Sequence, residues 1–258
     1  MTRRMILFDC QGARLAGTLD DASGSTGLLL VSGGNEIRSG AWGGQAQLAA
    51  RIAAEGFPVL RFDRRGVGDS EGLNGGFRSS APDIAAALAA FRRACPHLTR
   101  VVGLGNCDAA SALVLARGAG LDALLLSNPW TIDNEAAPAP PAAVRDHYRR
   151  RLADPKALLR LVTGKVSPAK LIASLLQALR PAPAPAGLAA ELAKALPEYA
   201  GTVRILIAER DRTAQAFLAG WDRSDPRLHI CRDASHSFVE PPARDWYAAQ
   251  VLSVLREG

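Results

Sequence analysis

The chain has 258 residues, of which 48% are hydrophobic, and it carries a formal net charge of +6. This composition is typical of a globular protein and excludes a disordered one, and the length suffices for a sizeable core in one α/β domain with an insertion or in two small domains. No apolar run approaches the ~20 residues that span a bilayer, and the start, MTRRMILFDC, has too short an apolar stretch for a secretory signal. We therefore expect a cytoplasmic protein without stable membrane insertion. Acidic residues are interspersed among the basic ones, which favours a solvated surface over a nucleic-acid-binding one.

Strand-like and helix-like segments alternate along the chain. The strand patterns are, in order, MILFD, RLAGTLD, GLLLVSG, PVLRFD, RVVGLG, ALLLSNP, VRILIAE and RLHICRD. The helix patterns cover residues 44–55, 82–95, 108–117, 213–221 and 243–257. Several strand patterns are continuous apolar runs, typical of strands covered on both faces. The alternation predicts an α/β fold with a mainly parallel eight-stranded sheet and helices on both faces, and the first two strands form an antiparallel hairpin at its edge.

The alternation stops between Trp130 and Thr202. The segments EAAPAPPAAV and RPAPAPAGL are rich in proline and alanine, and short, basic helical patterns lie between them. We predict a core at 1–130 and 201–258 and a helical lid insertion at 131–200, which would lie over the ligand crevice at the carboxyl edge of the sheet. The basic residues of the lid are either a solvated face or a site for an anionic head group.

The segment VVGLGNCDAASALVLA, residues 101–116, passes from a strand pattern into a helix pattern at a cysteine. Gly105-Asn106-Cys107-Asp108-Ala109 fits a nucleophile elbow, in which small residues two before and two after the nucleophile permit a tight turn. The amino end of the following helix favours both a thiolate and an oxyanion. The alternative is that Cys107 is one more buried cysteine. The four cysteines are scattered and contain no CxxC pair, so they suggest neither a zinc site nor a disulfide framework.

A cysteine nucleophile needs a base, and the base needs an orienting acid. In this architecture the chain order is nucleophile, acid, histidine. Asp211 comes just after the next-to-last strand and His236 just after the last, so both are predicted at the same sheet edge as Cys107. Glu209 is the competing acid, and Asp133 is a weaker candidate. The other histidines fit this position less well: His97, His147 and His229.

Two backbone N–H groups are needed to stabilise an oxyanion. We expect one from Asp108 and the other from Asn35, in the loop VSGGNEIRSG, where Gly33 and Gly34 allow a sharp turn. The alternative, a phosphate-binding loop, is disfavoured because GxGxxG and the P-loop lysine are both missing. Three residues are expected to contact substrate: Gly34, Trp130 and Arg149.

The segment RFDRRGVGDSEG follows the fourth strand pattern. Its glycines fit a tight loop beside the predicted site. We expect a structural role for this loop, with Asp63 and Arg65 forming local ion pairs.

The motifs SGGN, GFPVLRFDRRGVGDSEG, GNCDAAS, AERD and DASHSF resemble, in this order, the α/β-hydrolase superfamily over essentially the whole chain. A narrower resemblance is to the exosortase A system-associated hydrolases, type one, through GGNEIRSG, RFDRRGVGDS, CDAAS, NPW and HYRRRL. This resemblance implies Cys107 as the nucleophile, with Asp211 and His236 as its partners, in a product of bacterial loci for exopolysaccharide and exported-protein sorting. Cysteine in place of serine departs from the wider superfamily.

The sequence therefore predicts a hydrolase that cleaves an acyl ester or thioester through a Cys-His-Asp triad and a covalent acyl-enzyme. The substrate is a small-molecule or carrier-bound acyl compound, and the chemistry requires no metal or organic cofactor. The alternatives are an acyltransferase in exopolysaccharide biosynthesis, a non-catalytic binding protein on the same fold, and an adaptor for membrane surfaces or acidic polymers. The sequence carries no signal for the oligomeric state.

Overall fold

The computed structural model describes residues 2–133 and 187–257. The strands are β1 Arg3–Cys10, β2 Ala13–Asp20, β3 Thr26–Val31, β4 Val59–Phe62, β5 Arg100–Asn106, β6 Ala123–Ser127, β7 Thr202–Ala208 and β8 Leu228–Cys231. The helices are α1 Gly44–Ala54, α2 Ala81–Ala94, α3 Asp108–Leu115, α4 Gly187–Ala195, α5 Arg212–Ala219 and α6 Pro241–Arg256. The eight predicted strands and five predicted helices are all confirmed, and their ends shift by at most two residues.

The strands form one sheet in the order β1-β2-β4-β3-β5-β6-β7-β8. Strands β1 and β2 form the predicted antiparallel hairpin at one edge, and β2 also pairs antiparallel with β4. The remaining pairs are parallel, from β4 through β3 to β8. Because parallel strands end at a common edge, the loops after β3, β5, β7 and β8 meet there.

Hydrophobic side chains cover both faces of the sheet. Leu28 and Leu30 of β3 pack in one cluster with side chains of α1 and α6, whereas Leu29 and Val31 pack in the other with side chains of α2, α3 and α4. This alternation follows from the two-residue period of a strand. Each fully buried leucine or valine contributes about 1.5–3 kcal/mol relative to its exposed state. The apolar runs therefore become central strands because both of their faces are covered.

Helix α4 lies at the end of the predicted insertion. The Asp133 carboxylate accepts a hydrogen bond from the Leu188 N–H at 3.1 Å, which satisfies a free donor in the first turn of this helix. Leu188, Leu192 and Leu196 are buried in the same cluster as α2 and α3. The rest of the predicted insertion, residues 134–186, lies outside the described residues. Across residues 2–133 and 187–257, no helix has the length and apolar character needed to cross a bilayer.

Candidate active site

Cys107 lies between β5 and α3 with φ 62° and ψ −126°. A residue other than glycine in such a conformation carries about 1–3 kcal/mol of strain, so the surrounding structure must hold it. The Cys107 N–H donates to the Ser127 carbonyl at 2.9 Å, and the Cys107 carbonyl accepts from the Trp130 N–H at 3.2 Å. The turn has the strained strand-to-helix geometry that the sequence predicts, and Cys107 is partly exposed.

Close approach of backbones explains the small residues around Cys107. A Cβ atom on Gly105 would lie 2.6 Å from the Ala109 carbonyl carbon, and Ala109 is itself fully buried. A Cβ atom on Gly33, in the loop after β3, would lie 2.7 Å from the Asn106 carbonyl oxygen. Neither neighbour is a flexible side chain that could move aside. Both glycines therefore allow the elbow to pack against its surroundings.

The structure brings His236 and Asp211 together at the edge where Cys107 lies. His236 Nδ1 is 3.0 Å from Asp211 Oδ2. The Asp211 side chain is almost fully buried and also accepts from the Ala214 N–H at 3.0 Å, which caps α5. The competing acid, Glu209, instead accepts from the Asp233 N–H at 3.2 Å. The Asp211 carboxylate thus lies in direct contact with the His236 ring.

The electrostatics of His236 link the three residues. The hydrogen bond to Asp211 and a second one to Cys107 raise the pKa of His236 to about 10, against an opposing effect of burial. A raised pKa means that the surroundings favour the imidazolium form at neutral pH. The Cys107 sulfur therefore lies beside an imidazolium and at the amino end of α3. The arrangement can therefore hold a proton on His236 while the sulfur acts as nucleophile.

Two asparagines that the sequence analysis did not select hold the His236 loop. Asn128 Nδ2 donates to the His236 carbonyl at 3.0 Å and to Asn106 Oδ1 at 3.0 Å. Asn128 is fully buried, and its Oδ1 accepts from the Ala208 N–H at 2.8 Å. It thus links the ends of β5, β6 and β7 to the loop after β8. The sequence feature that could have pointed to Asn128 is its position at the end of a buried strand, directly before a proline.

The loop after β3 is tied to the elbow. The Gly34 N–H donates to Asp108 Oδ1 at 2.6 Å, and the buried Arg64 guanidinium donates to the Gly34 carbonyl. Arg64 also lies 3.8 Å from Asp108 Oδ2. Asn35 is exposed, and its Oδ1 accepts from Asn74 Nδ2 at 2.7 Å. The oxyanion role of the Asn35 and Asp108 N–H groups remains a prediction.

The loop after β4 forms the expected ion pairs. Asp63 is fully buried and pairs with Arg38, and its Oδ2 accepts from the Asp69 N–H at 3.1 Å. Arg65 Nε lies 2.6 Å from Asp83 Oδ1. These pairs connect the β4 loop to the β3 loop and to α2.

The remaining candidates lie in other surroundings. Trp130 is partly buried against the main core, and its carbonyl accepts from Ser111 Oγ at 2.7 Å. His97 Nε2 lies 3.2 Å from the Ala22 carbonyl, and His229 belongs to β8. Arg149 and His147 lie outside the described residues. Within residues 2–133 and 187–257, no group of three or more His, Cys, Asp or Glu side chains is arranged to hold a metal ion.

Residues 28–250 match the model of the alpha/beta hydrolase family. The esterase Pf2001 of Pyrococcus furiosus is similar in structure, with a TM-score of 0.63 and 15% identity, covering 99% of this chain and 91% of that chain. Est1E of Butyrivibrio proteoclasticus, solved with ferulic acid bound, gives a TM-score of 0.58 at 14% identity and covers 98% of both chains. Proline iminopeptidase of Mycobacterium smegmatis gives 0.56 at 18% identity, again over 98% of both chains. No curated protein matches the sequence.

Proposed function

The chain belongs to the alpha/beta hydrolase family, and on that premise we propose that it cleaves acyl esters or thioesters by covalent catalysis at Cys107. Two contacts of His236 carry this proposal. Its ring is hydrogen-bonded to Cys107, and its Nδ1 atom lies 3.0 Å from Asp211 Oδ2. A nucleophile in contact with a base, and that base in contact with an orienting acid, are the groups that acyl transfer requires.

In the first half-reaction, the Cys107 thiolate attacks the carbonyl carbon and a carbon–sulfur bond forms. The carbonyl oxygen becomes an oxyanion, which the Asp108 and Asn35 N–H groups stabilise. As the intermediate collapses, the bond to the alcohol or thiol breaks, and the His236 imidazolium supplies the proton to the leaving group. Esters and thioesters fit this step better than amides, because the Cys107 thiolate leaves more readily than an unprotonated amine.

In the second half-reaction, water attacks the thioester carbon of the acyl-enzyme. His236, now neutral, takes a proton from this water as general base. Collapse of the second intermediate releases the carboxylic acid and regenerates the thiolate beside the imidazolium. Asp211 keeps the imidazole ring oriented throughout both halves.

The proposal also includes a narrower family, the acceptor of the acyl group, the cellular location and a lid. The CDAAS elbow and the NPW segment support membership in the exosortase A system-associated hydrolases, type one. That family would connect the chain to exopolysaccharide biosynthesis, where the acceptor is a sugar hydroxyl or water and the acyl group is carried by a small molecule or a carrier. A cytoplasmic location and an inserted lid at 131–200 belong to this proposal too.

The test is a screen of esters and thioesters of several acyl chain lengths, followed by mass spectrometry of the quenched enzyme. We expect hydrolysis and an acyl adduct on the peptide that contains Cys107. Cys107→Ala should abolish both, whereas Cys95→Ala, a change at a buried thiol at the end of α2, should preserve both. Hydrolysis of the same substrates by Cys107→Ala at the wild-type rate would overturn the proposal.

A further inference from the structure

A pocket of about 400 Å³ lies between the sheet, α1 and α6. Leu30 of β3 and Leu104 of β5 line it from the sheet, Leu48 of α1 and Ala248 of α6 line it from the helices, and Phe238 lines it from the loop after β8. Its volume falls within the ~300–1,000 Å³ typical of small-molecule sites, which are also mostly apolar with a few polar groups. We call it the Glu36 pocket, after the carboxylate that the loop after β3 contributes to its lining.

The Glu36 pocket adjoins the candidate active site through three chain segments. Asn106 lines the pocket and directly precedes Cys107, and Ser237 lines it and directly follows His236. Glu36 directly follows Asn35 and interacts electrostatically with His236. The Glu36 side of the pocket therefore lies within electrostatic range of His236 and of Asp108, the residue after Cys107.

Small residues and an aromatic wall shape the pocket. Ala41 lines it just before α1, and Gly44 lines it as the first residue of α1. Trp42 lines the pocket and is itself covered by the Arg244 guanidinium, 5.5 Å from the ring centre. Two further lining residues, Arg51 and Asp245, form an ion pair of 2.6 Å with each other. Arg51 and Asp245 therefore neutralise each other, and the Arg244 guanidinium adds a positive charge on the helix side of the pocket.

Glu36 brings a carboxyl group into the lining of this pocket. Burial raises the pKa of its carboxyl, while a hydrogen bond from the Ala41 backbone and the charge of His236 lower it. Placing a carboxylate in apolar surroundings is costly unless hydrogen-bond donors surround it. An ionised carboxylate has about four acceptor sites, so one backbone donor leaves capacity for a donor on a ligand.

We propose that the Glu36 pocket binds the acyl group of the substrate, and that Glu36 accepts a hydrogen bond from a hydroxyl on that acyl group. This inference rests on the proposed ester or thioester hydrolysis. A neutral hydroxyl fits better than a cation because the Arg244 guanidinium, which also lines this pocket, would repel a cation. An anionic acyl group would be repelled by Glu36 itself.

The test compares 4-methylumbelliferyl esters of hexanoate and 3-hydroxyhexanoate. The ratio of kcat/KM for the two esters is taken within each variant, so that any effect of Glu36 on His236 cancels. We expect wild type to favour the hydroxylated ester about tenfold, in line with a hydrogen bond to a charged group. Glu36→Leu should bring the ratio to one or below, and Glu36→Gln should lie between. Glu55→Gln, which removes a surface carboxylate at the other end of α1, should keep the wild-type ratio.

A ratio near one in wild type, or a tenfold ratio that persists in Glu36→Leu, would overturn the inference. A separate binding measurement distinguishes its failure from that of the proposed function. Cys107→Ala protein is titrated with 3-hydroxyhexanamide and hexanamide, with tryptophan fluorescence as the signal and Trp42→Phe to assign it. Binding about tenfold tighter for the hydroxylated amide, lost with Glu36→Leu, supports the pocket even if neither ester is hydrolysed. Equal affinity for the two amides refutes it.

Discussion

The Asp108 carboxylate accepts a hydrogen bond from the Gly34 backbone N–H at 2.6 Å, and this bond joins the loop after β3 to the first turn of α3. Asp108 directly follows Cys107, and Arg64 lies 3.8 Å from the second carboxylate oxygen. Hydrogen bonds with an ionised partner are about twice as strong as neutral ones. One side chain therefore fixes the distance between the loop after β3 and the first turn of α3.

Asp108→Ala should lower kcat about tenfold, because it releases the loop that carries Asn35. Asp108→Asn should cost less, since its amide oxygen can still accept from the Gly34 N–H. The rate of alkylation of Cys107 reports on the nucleophile alone and should change little in either variant. A faster Asp108→Ala enzyme would show instead that the carboxylate competes with the substrate for the Gly34 N–H.

This bond illustrates what could not be predicted from sequence. Continuous apolar runs such as GLLLV predict buried strands. A strand that is covered on both faces is apolar at nearly every position, and this pattern can be read from a few neighbouring residues. The order of Cys107, Asp211 and His236 predicts their meeting because parallel strands end at one edge. Contacts between a side chain and a distant backbone group, such as Asp108 with Gly34 or Asn128 with Ala208, depend on packing that no local pattern encodes.

Cys107 should be the thiol that iodoacetamide alkylates fastest in the folded protein. Burial, which is the leading cause in each case, raises the pKa of Cys10 and of Cys95 to about 11, and it also raises the pKa of Cys231. These three thiols are buried, whereas Cys107 is partly exposed and contacts His236. Since the thiolate is the reactive form, a short pulse near pH 7 followed by peptide mass spectrometry should label Cys107 first.

The rate of this labelling should fall in His236→Ala, because the base that contacts the Cys107 sulfur is removed. Unfolded protein in guanidinium chloride gives the reference in which all four cysteines react alike. Faster labelling of Cys10, Cys95 or Cys231 in the folded protein would contradict the assignment of the nucleophile.

His236→Ala should reduce kcat more than Asp211→Asn does. His236 transfers the protons, and general acid–base catalysis is typically worth about 10²–10⁴-fold. An ionised thiolate depends less on a base for its attack, so we expect a loss near the lower end for His236→Ala. Asparagine at position 211 can still cap α5, as Asp211 does through the Ala214 N–H, so its effect reports on the histidine contact.

Steady-state kinetics on the substrate found by the ester screen measure both losses. Glu209→Gln is the matched control, because Glu209 lies two residues before Asp211 and its carboxylate accepts from the Asp233 N–H. Damage from Glu209→Gln together with a silent Asp211→Asn would transfer the role of the acid to Glu209.

The stabilising effect of the His236–Asp211 contact should depend on pH. The pKa of His236 is raised from 6.5 to about 10 by its hydrogen bonds to Asp211 and Cys107. Because folding raises this pKa, the contribution is fully present below about pH 6.5 and is lost as pH rises toward 10. His236 is 38% exposed, so solvent screening limits the effect to about 1 kcal/mol, or about 2–4 °C in Tm.

Calorimetry at pH 6, 8 and 10 should therefore show Tm of wild type above that of Asp211→Asn by about 2–4 °C at pH 6, with the gap closing by pH 10. Arg256→Gln, which breaks a surface pair with Glu55, provides a control whose Tm difference should not follow this profile. A gap that stays constant from pH 6 to pH 10 would mean that the titration of His236 does not contribute.

Gly105→Ala should damage both stability and catalysis, because the added methyl group meets backbone atoms. Its Cβ would lie 2.6 Å from the Ala109 carbonyl carbon and 2.7 Å from the Ala110 nitrogen, so α3 must shift away from β5. Overpacking of this kind typically costs about 1–3 kcal/mol. Since Cys107 lies between the two elements, the shift should also reduce kcat.

Gly12→Ala is the control: at φ +82° it introduces backbone strain, but nothing lies within 4 Å and the β1–β2 turn is remote from Cys107 in the sheet. It should lower Tm while leaving kcat/KM unchanged, and a Gly105→Ala enzyme with wild-type Tm and kcat would refute the close packing of β5 against α3.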